Sequence, residues 1–132
     1  MTKSRLRMAV VDDDASVLKA LARLLRASGY EVATFASGTE FLESLKMHVP
    51  DCLVLDVHMP SIGGLDVQTA MLDRGVRVPI IFITAYDDKG LRERALEQGA
   101  SAFLRKPLTE QSLLAAIEKA VVPGARHGKM PK

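Results

Sequence analysis

The chain has 132 residues, of which 48% are hydrophobic and 26% charged, and this fits one ordinary globular domain. Its net charge is +2, but six of its 18 basic residues lie near the two ends, which leaves 12 basic against 16 acidic residues in the body. An acidic body with few aromatic residues is not typical of direct nucleic-acid binding. Without a long apolar run, the sequence predicts neither a membrane span nor a secretory signal, and we expect a cytoplasmic protein.

Short apolar segments alternate with longer segments of helical periodicity along the chain. This alternation predicts five βα units, in which a parallel sheet is covered by helices on both faces. The predicted strands lie at residues 6–11, 31–35, 52–55, 80–83 and 102–104. The single cysteine, Cys52, lies in the third of these strands and is interpreted as a buried apolar side chain. The predicted fold class is therefore α/β, with a doubly wound five-stranded parallel sheet.

The helices are predicted from apolar residues at intervals of three and four and from the residues that end them. The first helix follows the first strand and ends at Gly29. The second begins at Ser37, which forms a capping-box pattern with Glu40, and ends before Pro50. The other three are predicted at residues 65–72, 88–98 and 110–122. We expect one domain over residues 1–122 and a disordered basic tail over residues 123–132.

Polar residues follow four of the predicted strands close to the points where these strands end. They are Asp12, Asp13, Asp14, Asp56, Thr84 and Lys106. In a doubly wound sheet, ligands bind beyond the carboxyl ends of the strands, so these side chains are expected to meet there. Clustered carboxylates repel one another, and a divalent cation relieves that repulsion. The sequence therefore predicts a Mg²⁺ site, with Mn²⁺ as a substitute, while Asp14 is assigned to the N-cap of the first helix.

Four segments carry a more specific resemblance: VVDDD after the first strand, LVLDVHMP around the third, FITA closing the fourth and FLRKP after the fifth. With them the sequence resembles the receiver domains of two-component response regulators, the CheY-like superfamily, over nearly the whole chain. The segments IIFITAYDD and FLRKPL are most similar to those of receivers that precede a helix-turn-helix effector domain. The resemblance implies a flavodoxin-like (βα)5 fold of strand order 2-1-3-4-5. It also implies a cis Lys106–Pro107 peptide bond.

The resemblance implies a phosphorylation site and a metal site that share one residue. Asp56 matches the aspartate that accepts the phosphoryl group, and it is also a metal ligand. Asp13 matches a residue that binds Mg²⁺ directly, and Asp12 matches one that binds it through water. The backbone carbonyl of His58 is implied as a further ligand of the same ion.

The remaining matched positions concern the phosphoryl oxygens, the conformational response and the rate of hydrolysis. Lys106 and Thr84 match the residues that contact the phosphoryl oxygens. Thr84 and Phe103 match a pair that changes packing when the domain is phosphorylated. His58 and Tyr86 occupy two variable positions that tune how fast water removes the phosphoryl group.

The implied function is that of a signalling domain and not of an enzyme. It accepts a phosphoryl group from a sensor histidine kinase or a histidine phosphotransfer protein, and it switches the surface of its fourth helix, fifth strand and fifth helix. That surface signals to an output partner or a C-terminal effector domain, and a phosphorylation-dependent dimer is one form of output.

Two alternatives remain: a phosphorylation-independent interaction module, and an α/β enzyme such as a flavin protein or a phosphatase. The complete residue set disfavours the module. The lack of a Gly-rich loop and of a second aspartate two residues after Asp56 disfavours the enzyme.

Overall fold

A computed structural model describes residues 5–86 and 88–121, so the predicted tail lies outside the described residues. The strands are β1 (Arg7–Val11), β2 (Glu31–Phe35), β3 (Cys52–Asp56), β4 (Ile80–Thr84) and β5 (Ala102–Arg105). The helices that alternate with them are α1 (Ala15–Ala27), α2 (Gly38–Ser44), α3 (Gly64–Asp73), α4 (Lys89–Glu97) and α5 (Glu110–Ala120). All the predicted elements are present. None of the described helices is both long and apolar enough to span a membrane.

The five strands form one parallel sheet of order β2-β1-β3-β4-β5, which confirms the predicted fold. Strand β1 has β2 on one side and β3 on the other, so the order reverses at the β1–β3 pair and a crevice lies beyond their carboxyl ends. Several element ends differ from prediction by one or two residues, and two of these differences concern the site. Asp56 and Thr84 are the last residues of β3 and β4, not residues that follow them, because pairing continues through Asp56–Ile83 and Thr84–Arg105.

The sheet separates two hydrophobic cores, because alternate residues of each strand face opposite sides. On one side, β1, β3 and β4 pack against α2, α3 and α4, and the largest side chains of this core are Phe41, Leu53, Leu55, Met71 and Phe82. On the other side they pack against α1 and α5. Cys52 is buried in this second core, and burial raises the pKa of its thiol to about 12. The thiol is therefore an apolar core group, as predicted.

The ends of α1 and α2 follow the sequence signals. Asp14 caps α1, since its carboxylate accepts hydrogen bonds from the backbone N–H groups of Ser16 and Val17. Ser37 caps α2 by accepting a hydrogen bond of 3.1 Å from the N–H of Glu40, which is one of the two hydrogen bonds of the predicted capping box. Gly29 follows α1 with a φ of +98°, a conformation that glycine adopts without steric cost.

Candidate functional site

The polar residues predicted at the strand ends come together at the carboxyl edge of the sheet. Asp12, Asp13 and Asp56 each offer a carboxylate oxygen, and these oxygens lie within 4.8 Å of one another. Lys106, from the loop after β5, places its Nζ 2.9 Å from Oδ2 of Asp12 and 3.6 Å from Oδ1 of Asp56. Thr84 ends β4, one residue beyond the strand partner of Asp56. One lysine thus lies against a cluster of three carboxylates.

The three carboxylates have different surroundings. Asp12 is buried, and both of its oxygens are engaged: Oδ1 accepts a hydrogen bond from the N–H of Asp14 at 2.9 Å, and Oδ2 accepts one from Lys106. Asp56 is also buried, with 4% of its surface exposed. Asp13 is exposed. A ligand that arrives from solvent therefore meets Asp13 first, while the Asp12 side chain is held in place by the protein.

Burial and charge change the titration of two groups in the site. Burial raises the pKa of Asp56 to about 6, the negative charge of Asp12 adds to this effect, and Lys106 opposes it. For Lys106, burial acts to lower the pKa of the ammonium, but its hydrogen bond to Asp12 and the charge of Asp56 raise it overall. Lys106 is consequently a cation at neutral pH. Asp56 is mostly ionised at neutral pH, but it takes up a proton more readily than a surface aspartate does.

The first residue of α3, Gly64, lies very close to the site, which the sequence analysis did not identify. A Cβ atom on Gly64 would lie 2.5 Å from the backbone oxygen of Asp56 and 3.0 Å from the ring of Phe82. The N–H of Gly64 donates a hydrogen bond of 2.8 Å to the carbonyl of Val57. Only glycine fits so near to this backbone, and the consecutive glycines in the segment SIGG were the available signal.

Two aromatic rings meet beside the site. His58 follows Asp56 by two residues, Tyr86 follows Thr84 by two, and their ring centroids lie 5.1 Å apart at an interplanar angle of 73°. The backbone N–H of Tyr86 also donates a hydrogen bond of 3.1 Å to Oγ1 of Thr84. The sequence analysis selected the two positions separately, and their edge-to-face contact is a further finding.

Phe103 lies farther from the carboxylates, on the same face of the sheet as Thr84. Phe82 and Thr84 are two residues apart on β4, and Phe103 is the strand partner of Phe82. The rings of Phe82 and Phe103 are 6.0 Å apart, and Phe103 is half-buried against the core formed with α2, α3 and α4. The Lys106–Pro107 bond is cis, as expected, and the N–H of Lys106 donates a 2.7 Å hydrogen bond to the carbonyl of Thr84.

Known proteins are similar to this chain in sequence and in fold. The family model of the response regulator receiver domain matches residues 8–118. The response regulator protein TmoT of Ectopseudomonas mendocina is 43% identical over 112 residues, which cover 85% of this chain and 51% of that protein.

The transcriptional regulatory protein TdiR of Thauera aromatica is 42% identical over 112 residues, which cover 85% of this chain and 49% of that protein. The crystal structure of a response regulator receiver protein from Burkholderia phymatum has a TM-score of 0.79 and 43% identity, covering 95% of this chain and 100% of that one. The chain spans about half the length of the curated relatives it matches. It belongs to the family of response regulator receiver domains of two-component systems.

Proposed function

We propose that this receiver domain accepts a phosphoryl group on Asp56 from a sensor histidine kinase or a histidine phosphotransfer protein. The observation that carries the proposal is the position of Lys106, whose ammonium lies 2.9 Å from Asp12 and 3.6 Å from Asp56 inside a carboxylate cluster. Phosphoryl transfer depends mainly on positioning and on neutralising charge around the phosphorus atom. A nearly buried carboxylate beside a fixed cation meets both needs.

In the proposed reaction, an oxygen of Asp56 attacks phosphorus and forms an acyl phosphate. The bond between phosphorus and the donor histidine breaks, and the imidazole leaves with a proton taken from solvent. The attacking carboxylate must be ionised but needs no general base. Since the pKa of Asp56 is raised to about 6, most molecules carry the reactive carboxylate at neutral pH.

The donor set fits a hard divalent cation, because three carboxylates converge within 4.8 Å and Mg²⁺ prefers oxygen ligands. We propose that Asp13, Asp56 and the backbone carbonyl of His58 would hold Mg²⁺ directly and that Asp12 would act through water, with Mn²⁺ as a substitute. This division agrees with the exposure of Asp13 and with the engagement of both Asp12 oxygens by protein donors. When bound, the ion supplies positive charge for the phosphoryl oxygens.

The conformational response is proposed to begin at Thr84. Its hydroxyl oxygen accepts a hydrogen bond from Tyr86, so its proton is free to be donated to a phosphoryl oxygen once Asp56 carries one. A shift of Thr84 toward Asp56 would open space on the face that it shares with Phe103. Rotation of Phe103 into that space would change the surface formed by α4, β5 and α5.

The same hydrogen bond connects the response to the rate of hydrolysis. Because the Tyr86 backbone is bonded to Thr84 and the Tyr86 ring touches His58, we propose that the ring pair controls the access of water to the acyl phosphate.

The output is proposed to be transcription, through an effector domain or partner. The relative TdiR is a transcriptional regulatory protein about twice as long as the segment that this chain matches.

Intact mass spectrometry after incubation with acetyl phosphate and Mg²⁺ tests the proposal. We expect the wild-type protein to gain the mass of one phosphoryl group and Asp56→Asn to gain none. The control variant is Asp73→Asn, at an exposed aspartate at the end of α3, which should react like the wild type. An unchanged wild-type mass would contradict phosphorylation and favour a phosphorylation-independent interaction module.

A further inference from the structure

Helix α4 is held on the sheet by few apolar contacts. Among the residues of α4, all of which the structure describes, Ala95 alone is buried. Leu91 is half-buried against the core, and 44% of the surface of Leu96 is exposed. A helix that buries one small side chain gains little from hydrophobic burial, so other contacts must define where α4 lies.

Two side chains of α3 supply such contacts, and both reach the C-terminal end of α4. Gln68 is buried and donates a hydrogen bond of 3.1 Å from Nε2 to the carbonyl of Ala95. The hydroxyl of Thr69 donates one of 3.3 Å to Oε1 of Gln98, the residue that follows the helix. Helix α3 therefore binds α4 at its last turn.

The last turn of α4 is itself a well-formed helix end. The carbonyl of Ala95 also accepts a hydrogen bond of 3.0 Å from the N–H of Ala100, and Gly99 adopts a φ of +103° between them. This is the Schellman arrangement, which satisfies the terminal carbonyl groups. Gln68 thus bonds to a carbonyl group that also takes part in the helix end.

The Gln68 side chain bonds to α4 through its amide nitrogen and not through its oxygen. Its Oε1 is buried and has no hydrogen-bond partner among the described residues. An unpaired buried acceptor opposes folding, and an apolar side chain of similar size avoids that penalty. The amide nitrogen of Gln68 is the group that forms a hydrogen bond, and this bond attaches α4 to α3.

The opposite end of α4 is capped by the residue that precedes it, Asp88, whose carboxylate accepts a hydrogen bond of 3.1 Å from the N–H of Leu91. It follows Thr84 at the edge of the sheet where the site lies, and its first turn contains Gly90, the poorest helix former after proline. The nine residues of α4 span roughly 13 Å at the usual helical rise. A small displacement at the first turn therefore becomes a rotation of the whole helix if the last turn stays in place.

We propose that Gln68 is a positioning residue that fixes the last turn of α4 on α3, so that α4 pivots about this turn when the site changes state. The pivot rests on the proposed function, because phosphorylation of Asp56 is its trigger. The clamp formed by Gln68 exists before phosphorylation, so it has a separate test.

The first experiment measures amide hydrogen exchange by NMR in the unphosphorylated protein. The variant is Gln68→Met, which removes the N–H donor and the unpaired oxygen while keeping the volume. We expect exchange at Gly99 and Ala100 to become about fivefold to tenfold faster. The matched control, Gln111→Met at an exposed position of α5, should leave these amides unchanged. Unchanged exchange in Gln68→Met would overturn the clamp.

The second experiment adds beryllofluoride with Mg²⁺, a mimic of the phosphoryl group, and maps amide chemical-shift changes along α4. In the wild type we expect larger changes at residues 89–92 than at residues 96–100, and in Gln68→Met we expect the changes to spread into residues 96–100. Wild-type changes that are largest at residues 96–100 would overturn the pivot. A wild type that gains no mass with acetyl phosphate would refute the trigger, and with it the pivot, but not the clamp.

A second variant covers the case in which Gln68→Met does not fold. Thr69→Val removes the hydroxyl that bonds to Gln98 at an exposed position, so it leaves the core intact. We expect exchange at Gly99 to become about twofold faster, because this bond is weaker and more exposed than that of Gln68. No change there would also count against a fixed last turn.

Discussion

Helices α1 and α4 both begin at the edge of the sheet where the site lies, but the protein holds them differently. Helix α1 has 13 residues and buries Leu21, Ala22 and Leu25, whereas α4 has nine and buries Ala95. Asp12 and Asp13 precede α1, and Thr84 precedes α4. Two of the three carboxylates therefore adjoin a firmly packed helix, and the third, Asp56, ends the buried strand β3, whereas the threonine adjoins a loosely packed helix. A site made this way keeps its charges fixed while one side of it can move.

The largest test of this difference removes one leucine from each helix. Leu25 is fully buried in the core formed with α1 and α5, so we expect Leu25→Ala to lower the free energy of unfolding by about 2–5 kcal/mol. Leu91 is half-buried, and Leu91→Ala should cost about 1 kcal/mol. Urea denaturation of both variants measures the two values. Equal losses would mean that α4 is packed as firmly as α1.

Much of the fold follows from local sequence signals. The strands β1, β3 and β4 are covered on both faces, so almost every residue in them is apolar and the pattern is unambiguous. The carboxylates Asp12, Asp13 and Asp56 follow or end such runs, so a parallel sheet brings them to one edge. The strand order was predicted from the resemblance to a family and not from the periodicity. The apolar pattern of a short strand identifies the strand but does not indicate which other strands pair with it.

The features that the sequence analysis did not identify depend on contacts between distant segments. Gln68 resembles any polar residue of an amphipathic helix, and its role appears only when α4 packs against it, 27 positions along the chain. The contact of His58 with Tyr86 likewise joins two loops. Gly64 could have been identified most easily, since a pair of glycines indicates that two backbone segments approach closely. The partner of that approach, the backbone oxygen of Asp56, is known only from the fold.

A smaller effect is expected from the charge of Asp56, the buried carboxylate that ends β3. In metal-free protein the pKa of Asp56 is raised to about 6, first by burial and then by Asp12, from an ordinary value of 3.8. Between these two values the folded protein binds more protons than the unfolded chain, so the free energy of unfolding falls as the pH rises through this window. At neutral pH the ionised carboxylate destabilises the fold by on the order of 3 kcal/mol.

Asp56→Asn removes this charge, so we expect the variant to be more stable than the wild type at pH 7.5 by on the order of 3 kcal/mol and by much less at pH 4.5. Urea denaturation in the presence of a chelator, at both pH values, measures the difference. Asp73→Asn, at an exposed position, should show little dependence of this kind. A destabilised Asp56→Asn at pH 7.5 would show that Lys106 and its hydrogen bonds outweigh burial and repulsion.

The smallest predicted effect compares the two ends of α4 through the same substitution. Among the described residues, a Cβ on Gly90 would have only the Asp88 carboxylate near it, at 3.5 Å, so Gly90→Ala should fit and stabilise the protein by about 0.5–1 kcal/mol. Gly99 has a φ of +103°, and Gly99→Ala should instead destabilise it by about 1 kcal/mol.

Amide exchange distinguishes where each change acts. Gly90→Ala should slow exchange in the first turn of α4, where the helix is expected to yield, and Gly99→Ala should speed exchange at the last turn, where Gln68 holds it. If Gly90→Ala leaves the first turn unchanged, that end is already as well ordered as α1. The mobile side of the site would then have to lie in the loop that contains Tyr86 and not in the helix.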